Sequence, residues 1–136
     1  HRQPRGSSRE LFKGVLAGKS RGIFNGRVIV RKDAQQTDAQ QKNENLLLGV
    51  GAEVDSQPQL EIEADDVKCS HGSTIGQLDE DAVFYLRSRA IGEAEAEAML
   101  TRGFAAQITE RIANAALRER IESLVMARLF ARELPA

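Results

Sequence analysis

Gln59-Leu60-Glu61-Ile62-Glu63-Ala64 alternates with a period of two: Leu60, Ile62 and Ala64 point one way, Glu61 and Glu63 the other. That pattern marks a strand with one face buried and one in water. Upstream, three more apolar runs have strand length. Ser8 to Ala17 carries Leu11, Phe12, Val15 and Leu16; Gly22 to Val30 carries Ile23, Phe24, Val28, Ile29 and Val30; Asn45 to Val50 carries Leu46, Leu47 and Leu48. Gly14, Gly18, Gly22, Gly26, Gly49, Gly51 and Pro58 punctuate them. Short strands with no helix between them predict a sandwich, a barrel or a solenoid. Asp33-Ala34-Gln35-Gln36-Thr37 is echoed by Asp38-Ala39-Gln40-Gln41-Lys42, overlapping a Gln- and Asn-rich stretch from Gln35 to Asn45. Two copies do not make a repeat family. Its reading here is a polar loop, with a stacked amide ladder inside a β-solenoid as the second reading.

The period changes near Gly76-Gln77-Leu78. Asp79 is a good N-cap, Glu80 and Asp81 suit the first turn, and Leu78 and Val83 sit where a hydrophobic staple would. A helix is predicted to about Arg89, with Gly92 at its end. A second is predicted over Glu93 to Arg102 and a third around Phe104, Ile108 and Ile112. A fourth covers about Ala116 to Arg132, with Leu117, Ile121, Leu124, Val125 and Leu129 as its stripe. The predicted class is mainly β with C-terminal α, divided into residues 1–77 and 78–136.

Composition narrows the function. The chain has 136 residues and a formal net charge of −1, so no overall basic footprint for nucleic acid is present. No stretch approaches the roughly 18 to 20 apolar residues that span a bilayer, and the polar, basic opening has no signal-peptide character. No membrane or nucleic-acid partner is expected. Cys69 is the only cysteine, which excludes an internal disulfide and fits a reducing, cytoplasmic setting. One thiol also cannot supply the four thiolates of an ordinary iron–sulfur site. The chain opens on His1 rather than Met, which suits a processed product or a fragment.

The segment with most chemistry is Asp65-Asp66-Val67-Lys68-Cys69-Ser70-His71-Gly72. If it is extended, Cys69 and His71 share a face with α-carbons about 7 Å apart. A thiolate and an imidazole could ligate one soft or borderline metal, but they fill two positions only. Equally, a lone cysteine in a strand is often a small buried hydrophobe. A Cys–His hydrolase would need an orienting residue and an oxyanion site, and nothing nominates either. No phosphate loop is present: Gly14 to Ser20 has one residue too few between its glycines. The arginines Arg111, Arg118, Arg120, Arg128 and Arg132, interspersed with Glu110, Glu119, Glu122 and Glu133, read as a solvated helix face or a docking surface.

Several of these words resemble the SufB/SufD scaffold family of the SUF iron–sulfur cluster assembly machine. They are Gly22-Ile23-Phe24-Asn25-Gly26-Arg27-Val28, Asn45 to Leu48, Glu53 to Ile62, and Lys68-Cys69-Ser70-His71-Gly72 followed by Thr74, Gly76 and Phe84-Tyr85-Leu86-Arg87-Ser88-Arg89. The resemblance runs from about Ser8 into the last helix. Ser70 and Leu86 favour the SufD branch, since the SufB branch usually has an acidic residue after the cysteine and another cysteine in the next helix. Ala90 departs from the family, which often has Gly before Ile91. The resemblance implies a truncated right-handed parallel β-helix followed by a small helical subdomain, acting as a non-enzymatic scaffold. It implies pairing with a SufB-type scaffold and docking of a SufC-type ATPase through the helices, with Phe84, Tyr85, Arg87, Arg89 and Ile91 as candidates. It implies that His71 and Cys69 are cluster or metal ligands shared with the partner chain. No cofactor is expected to bind the isolated chain tightly; iron or a cluster would be held transiently in the complex. The open end of a truncated β-helix makes self-association an expectation. The alternative is a purely structural interaction module without a ligand role.

Overall fold

The computed structural model describes residues His1 to Phe130. Five strands come first: β1 Ser7–Ala17, β2 Arg21–Val30, β3 Asp38–Leu48, β4 Glu53–Ile62 and β5 Lys68–Gly76. All pairings are parallel. One sheet has the order β1-β3-β5 and the other β2-β4, so the chain passes from one sheet to the other at every connection. This excludes a hairpin-built sandwich, because two-residue hairpins join antiparallel strands only.

Register explains which side chains lie between the sheets. Residues opposite each other in a parallel ladder share a face. In β2, Val28 and Val30 turn inward and meet Ala39 of β3 together with Ala34 and Ala64, forming the apolar core; Leu60, Val67 and Cys69 pack against it. The opposite face is charged and paired. Arg27 bonds Glu61, Arg31 bonds Glu63 at 2.5 Å, Arg9 bonds Asp38 at 2.6 Å and Lys13 bonds Glu44 at 2.8 Å. The bond from Arg9 holds the Asp38 carboxyl below the usual carboxylate range.

The strand readings at Ser8–Ala17 and Gly22–Val30 agree with β1 and β2. The one beginning at Asn45 does not: β3 starts at Asp38, so most of the expected polar loop is strand. Gln41, Asn43 and Asn45 are buried there, and Asn45 Nδ2 donates to Asn43 Oδ1 at 2.7 Å. Polar side chains occupy the inward positions because partners wait for them between the sheets.

A second compact unit begins at Gln77. It holds α1 Glu80–Arg87, α2 Glu93–Thr109 and α3 Ala115–Leu129. Asp79 caps α1, accepting from the backbone N–H groups of Asp81 and Ala82. Past its end, Ala90 takes a left-handed φ of 64°, which is where the family resemblance expects Gly. Gly92 is the N-cap of α2 rather than the stop of α1. The expected second and third helices are one: Gly103 lies inside α2, and Ile112 falls beyond it. Asn114 caps α3, accepting from the Leu117 N–H at 3.0 Å. The expected end of the last helix near Arg132 lies outside the described residues.

Candidate functional site between the sheets

β5 carries Cys69 and His71. Among the described residues only one of its edges is hydrogen-bonded, to β3, which makes it the outer strand of its sheet. Cys69 stands opposite Ala39 and His71 opposite Gln41. Both therefore face inward, as the alternation of an extended segment requires. Their environments differ. Cys69 is half-buried against the apolar core, whereas His71 is exposed. Lys68 leaves from the other face of the strand, opposite Asp38. Among the described residues, no group of three or more His, Cys, Asp or Glu side chains gathers to hold a metal ion. The two-ligand shortage seen in the sequence persists in the folded chain.

Beyond His71 the space between the sheets is polar and connected. Asn43 Oδ1 accepts from Ser56 Oγ of β4 at 2.7 Å as well as from Asn45. Ser73 Oγ, two residues past His71 on the same strand face, donates to Ser56 Oγ at 2.7 Å. Asn45 Nδ2 also reaches the Thr74 carbonyl at 3.3 Å. These bonds tie β5 from inside to β3 and β4. One rung earlier, Gln41 Nε2 donates to Glu10 Oε2 of β1 at 3.0 Å. Gln41 is 2% exposed, and its Oε1 has no hydrogen-bond partner among the described residues. The amide lies over Gly26: a Cβ there would fall 2.8 Å from both Gln41 Nε2 and Oε1. Gly26 is therefore the gap into which this amide fits.

Glu10, Gln41, Asn43, Ser56 and Ser73 were not among the residues expected to form the site. The available signal was the alternation of uncharged Ala39, Gln41, Asn43 and Asn45 with Gln40, Lys42 and Glu44, faint because the inward residues are themselves polar. The docking candidates lie in the helical unit. Phe84 is 72% exposed and Tyr85 55%. The Arg89 guanidinium stacks over the Tyr85 ring at 4.6 Å from its centroid, Arg87 approaches Glu93 at 3.4 Å, and Ile91 is half-buried. Tyr85 and Arg89 touch, and Phe84 is an uncovered ring beside them in sequence. No helix among the described residues is long and apolar enough to cross a membrane.

Comparison with known proteins adds a family. Residues 1–104 match the SufBD core domain of the SUF system for FeS cluster assembly. The chain is 46% identical over 123 residues to the iron–sulfur cluster assembly protein SufD of Escherichia coli, covering 90% of this chain and 29% of that protein. It is 42% identical to an iron–sulfur cluster assembly SufBD family protein of Synechocystis, covering 92% and 28%. It is 42% identical to the chloroplastic protein ABCI7 of Arabidopsis thaliana, covering 90% and 26%. The chain thus spans between a quarter and a third of the length of these relatives.

Proposed function

The chain belongs to the SufBD core domain family of the SUF iron–sulfur cluster assembly system, and from that membership we propose that it is a SufD-type segment of a non-enzymatic scaffold subunit, contributing His71 to a cluster-assembly site completed by a SufB-type partner. The observation that carries this reading is the placement of His71: inward-facing by register, yet exposed, on a strand whose outer edge has no partner among the described strands. A neutral imidazole there can offer a nitrogen lone pair to iron, and the missing ligands can come from a second chain. The alternation between two parallel sheets supports reading β1 to β5 as the last turns of a right-handed β-helix. The exposed Phe84, Tyr85, Arg87 and Arg89, with Ile91, are proposed to dock a SufC-type ATPase. Iron and sulfide are cargo in this scheme, held transiently in the complex.

Cys69 stands differently. Its packing against Val28, Val30, Ala34, Ala39 and Ala64 favours a structural role for this thiol, and this is what supports the second reading, an interaction module without ligands. One experiment separates the two. The full-length subunit is co-purified with its SufB-type and SufC-type partners, and iron and sulfide incorporation is measured for wild type, His71→Ala and Cys69→Ala. The scaffold reading expects the His71→Ala complex to assemble with incorporation lost, and Cys69→Ala to retain most of it. Unchanged incorporation in His71→Ala would leave the chain an architectural part only.

A further inference from the structure

Glu10, Gln41 and His71 occupy one rung across three parallel strands: Glu10 is opposite Gln41, and Gln41 is opposite His71. Chemistry orients the middle member. Only the amide NH2 can donate to the Glu10 carboxylate, so the carbonyl oxygen is the atom left over. That atom, Gln41 Oε1, is buried and has no partner among the described residues. A buried acceptor without a donor is costly, and native structures rarely leave one. The strand neighbour on the far side of Gln41 from Glu10 is His71, whose ring carries an N–H. We propose that Gln41 is a positioning residue for His71: its Oε1 accepts the hydrogen of one ring nitrogen, so that the other nitrogen presents its lone pair to the iron site. Glu10 anchors the amide from behind, and Gly26 leaves the space in which the amide lies. A ligating histidine whose second nitrogen is held in this way has a defined tautomer and ring orientation.

This inference rests on the reading of His71 as a ligand, so its test has a readout that does not involve iron. The two histidines of the chain, His1 and His71, are labelled with 15N, and long-range 1H–15N spectra of wild type and variants are recorded at one and the same alkaline pH. Wild type is expected to show His71 in one dominant tautomer. Gln41→Met, which keeps the length of the side chain but removes its hydrogen bonds, is expected to move both His71 nitrogens toward the shifts of a free imidazole. His1, whose ring bonds Ser8 Oγ at 2.9 Å, should not move. Glu10→Gln, a milder change, is expected to give a smaller shift of the same sign and serves if Gln41→Met does not fold. In the full complex, Gln41→Met should lower cluster incorporation about 10- to 100-fold. His71 signals identical in wild type and variants, or a change shared equally by His1, overturn the proposal whatever incorporation does. A shift confined to His71, with incorporation unchanged in both Gln41→Met and His71→Ala, removes the ligand reading and the positioning role with it.

Discussion

At the scale of single residues, Ala90 and Asp38 carry measurable consequences. Ala90 sits at φ 64°, a conformation an L-residue adopts at a cost of about 1 kcal/mol and glycine adopts freely. Ile91 N–H reaches back to the Leu86 carbonyl at 3.4 Å across this turn, so the geometry is the one in which helices commonly stop on glycine. Ala90→Gly is therefore expected to stabilise the helical unit by up to about 1 kcal/mol, read as a higher urea midpoint; a lower midpoint would mean the turn is not strained. Asp38 bears on pH. The bond from Arg9 lowers its pKa, so its contribution to stability is complete above the ordinary carboxylate range and fades as pH falls through the depressed value. In Arg9→Met the Asp38 titration followed by NMR should move upward toward that ordinary range. Both groups are largely in water, so the effect on stability at neutral pH should be small.

Elements show where sequence reading succeeds and why it stops. β1 and β2 were legible because their inward positions include Leu16, Phe24, Val28 and Val30, and apolar periodicity needs apolar side chains; of β4, Glu53–Ile62, only the end from Gln59 showed, since Leu60 is apolar while Ser56 and Pro58 before it carry no such pattern. β3 was half legible: Asn45 to Leu48 announced it, but Gln41 and Asn43 concealed its first half, since their partners arrive from β1 and β4. That dependence on distant segments is not written locally. Gly103 misled in the same way; a helix interior tolerates glycine at a modest cost, and α2 runs through it. The positions of Cys69 and His71 on one face were legible, whereas the Gln41 contact to Glu10 and the serine bonds behind Asn43 were not. Asn43 tests how far these interior bonds secure β5. Asn43→Ala removes the acceptor for both Ser56, which is half-buried, and Asn45, which is buried and keeps only its Thr74 contact, at an expected cost of about 1–2 kcal/mol. Because Ser73 and Thr74 hang on the same network, hydrogen exchange should rise most in β5, with smaller changes in β2 and β4. A uniform rise across the strands would show that the network secures the whole unit rather than the strand bearing His71.

For the whole molecule, the decisive contrast lies between the interiors of the two units. The strand unit buries Val28, Val30, Ala34, Ala39, Leu46, Ala52 and Ala64 and closes long parallel ladders. Among the described residues, the helical unit buries only Ala96, Thr101 and Thr109, while Phe84, Tyr85, Met99, Leu117 and Leu124 remain exposed. Hydrophobic stabilisation scales with apolar area removed from water, at about 25 cal/mol per Å², so the helical unit has the smaller reserve. Its exposed apolar side chains also suit a surface that gains stability from a partner, because anything that binds only the folded form raises apparent stability by mass action. The strand unit also exposes apolar side chains, Phe12, Ile23, Val50, Ile62 and Ile75; in addition the outer edges of β1 and β5 are unpaired in their sheet among the described residues, and open edges invite self-association. Light scattering across a concentration series should show dimers or larger species, and a monomer throughout would remove that expectation. Unfolding should not be a single cooperative event either. Urea titration followed by helix-weighted circular dichroism is expected to give a midpoint below that of β2 and β4 amide protection measured by hydrogen exchange. If the helices dock a SufC-type ATPase as proposed, that partner should bring the first midpoint up toward the second. Coincident transitions in the free chain would instead mean that the two units stabilise each other, and that the helices do not depend on a partner to complete their packing.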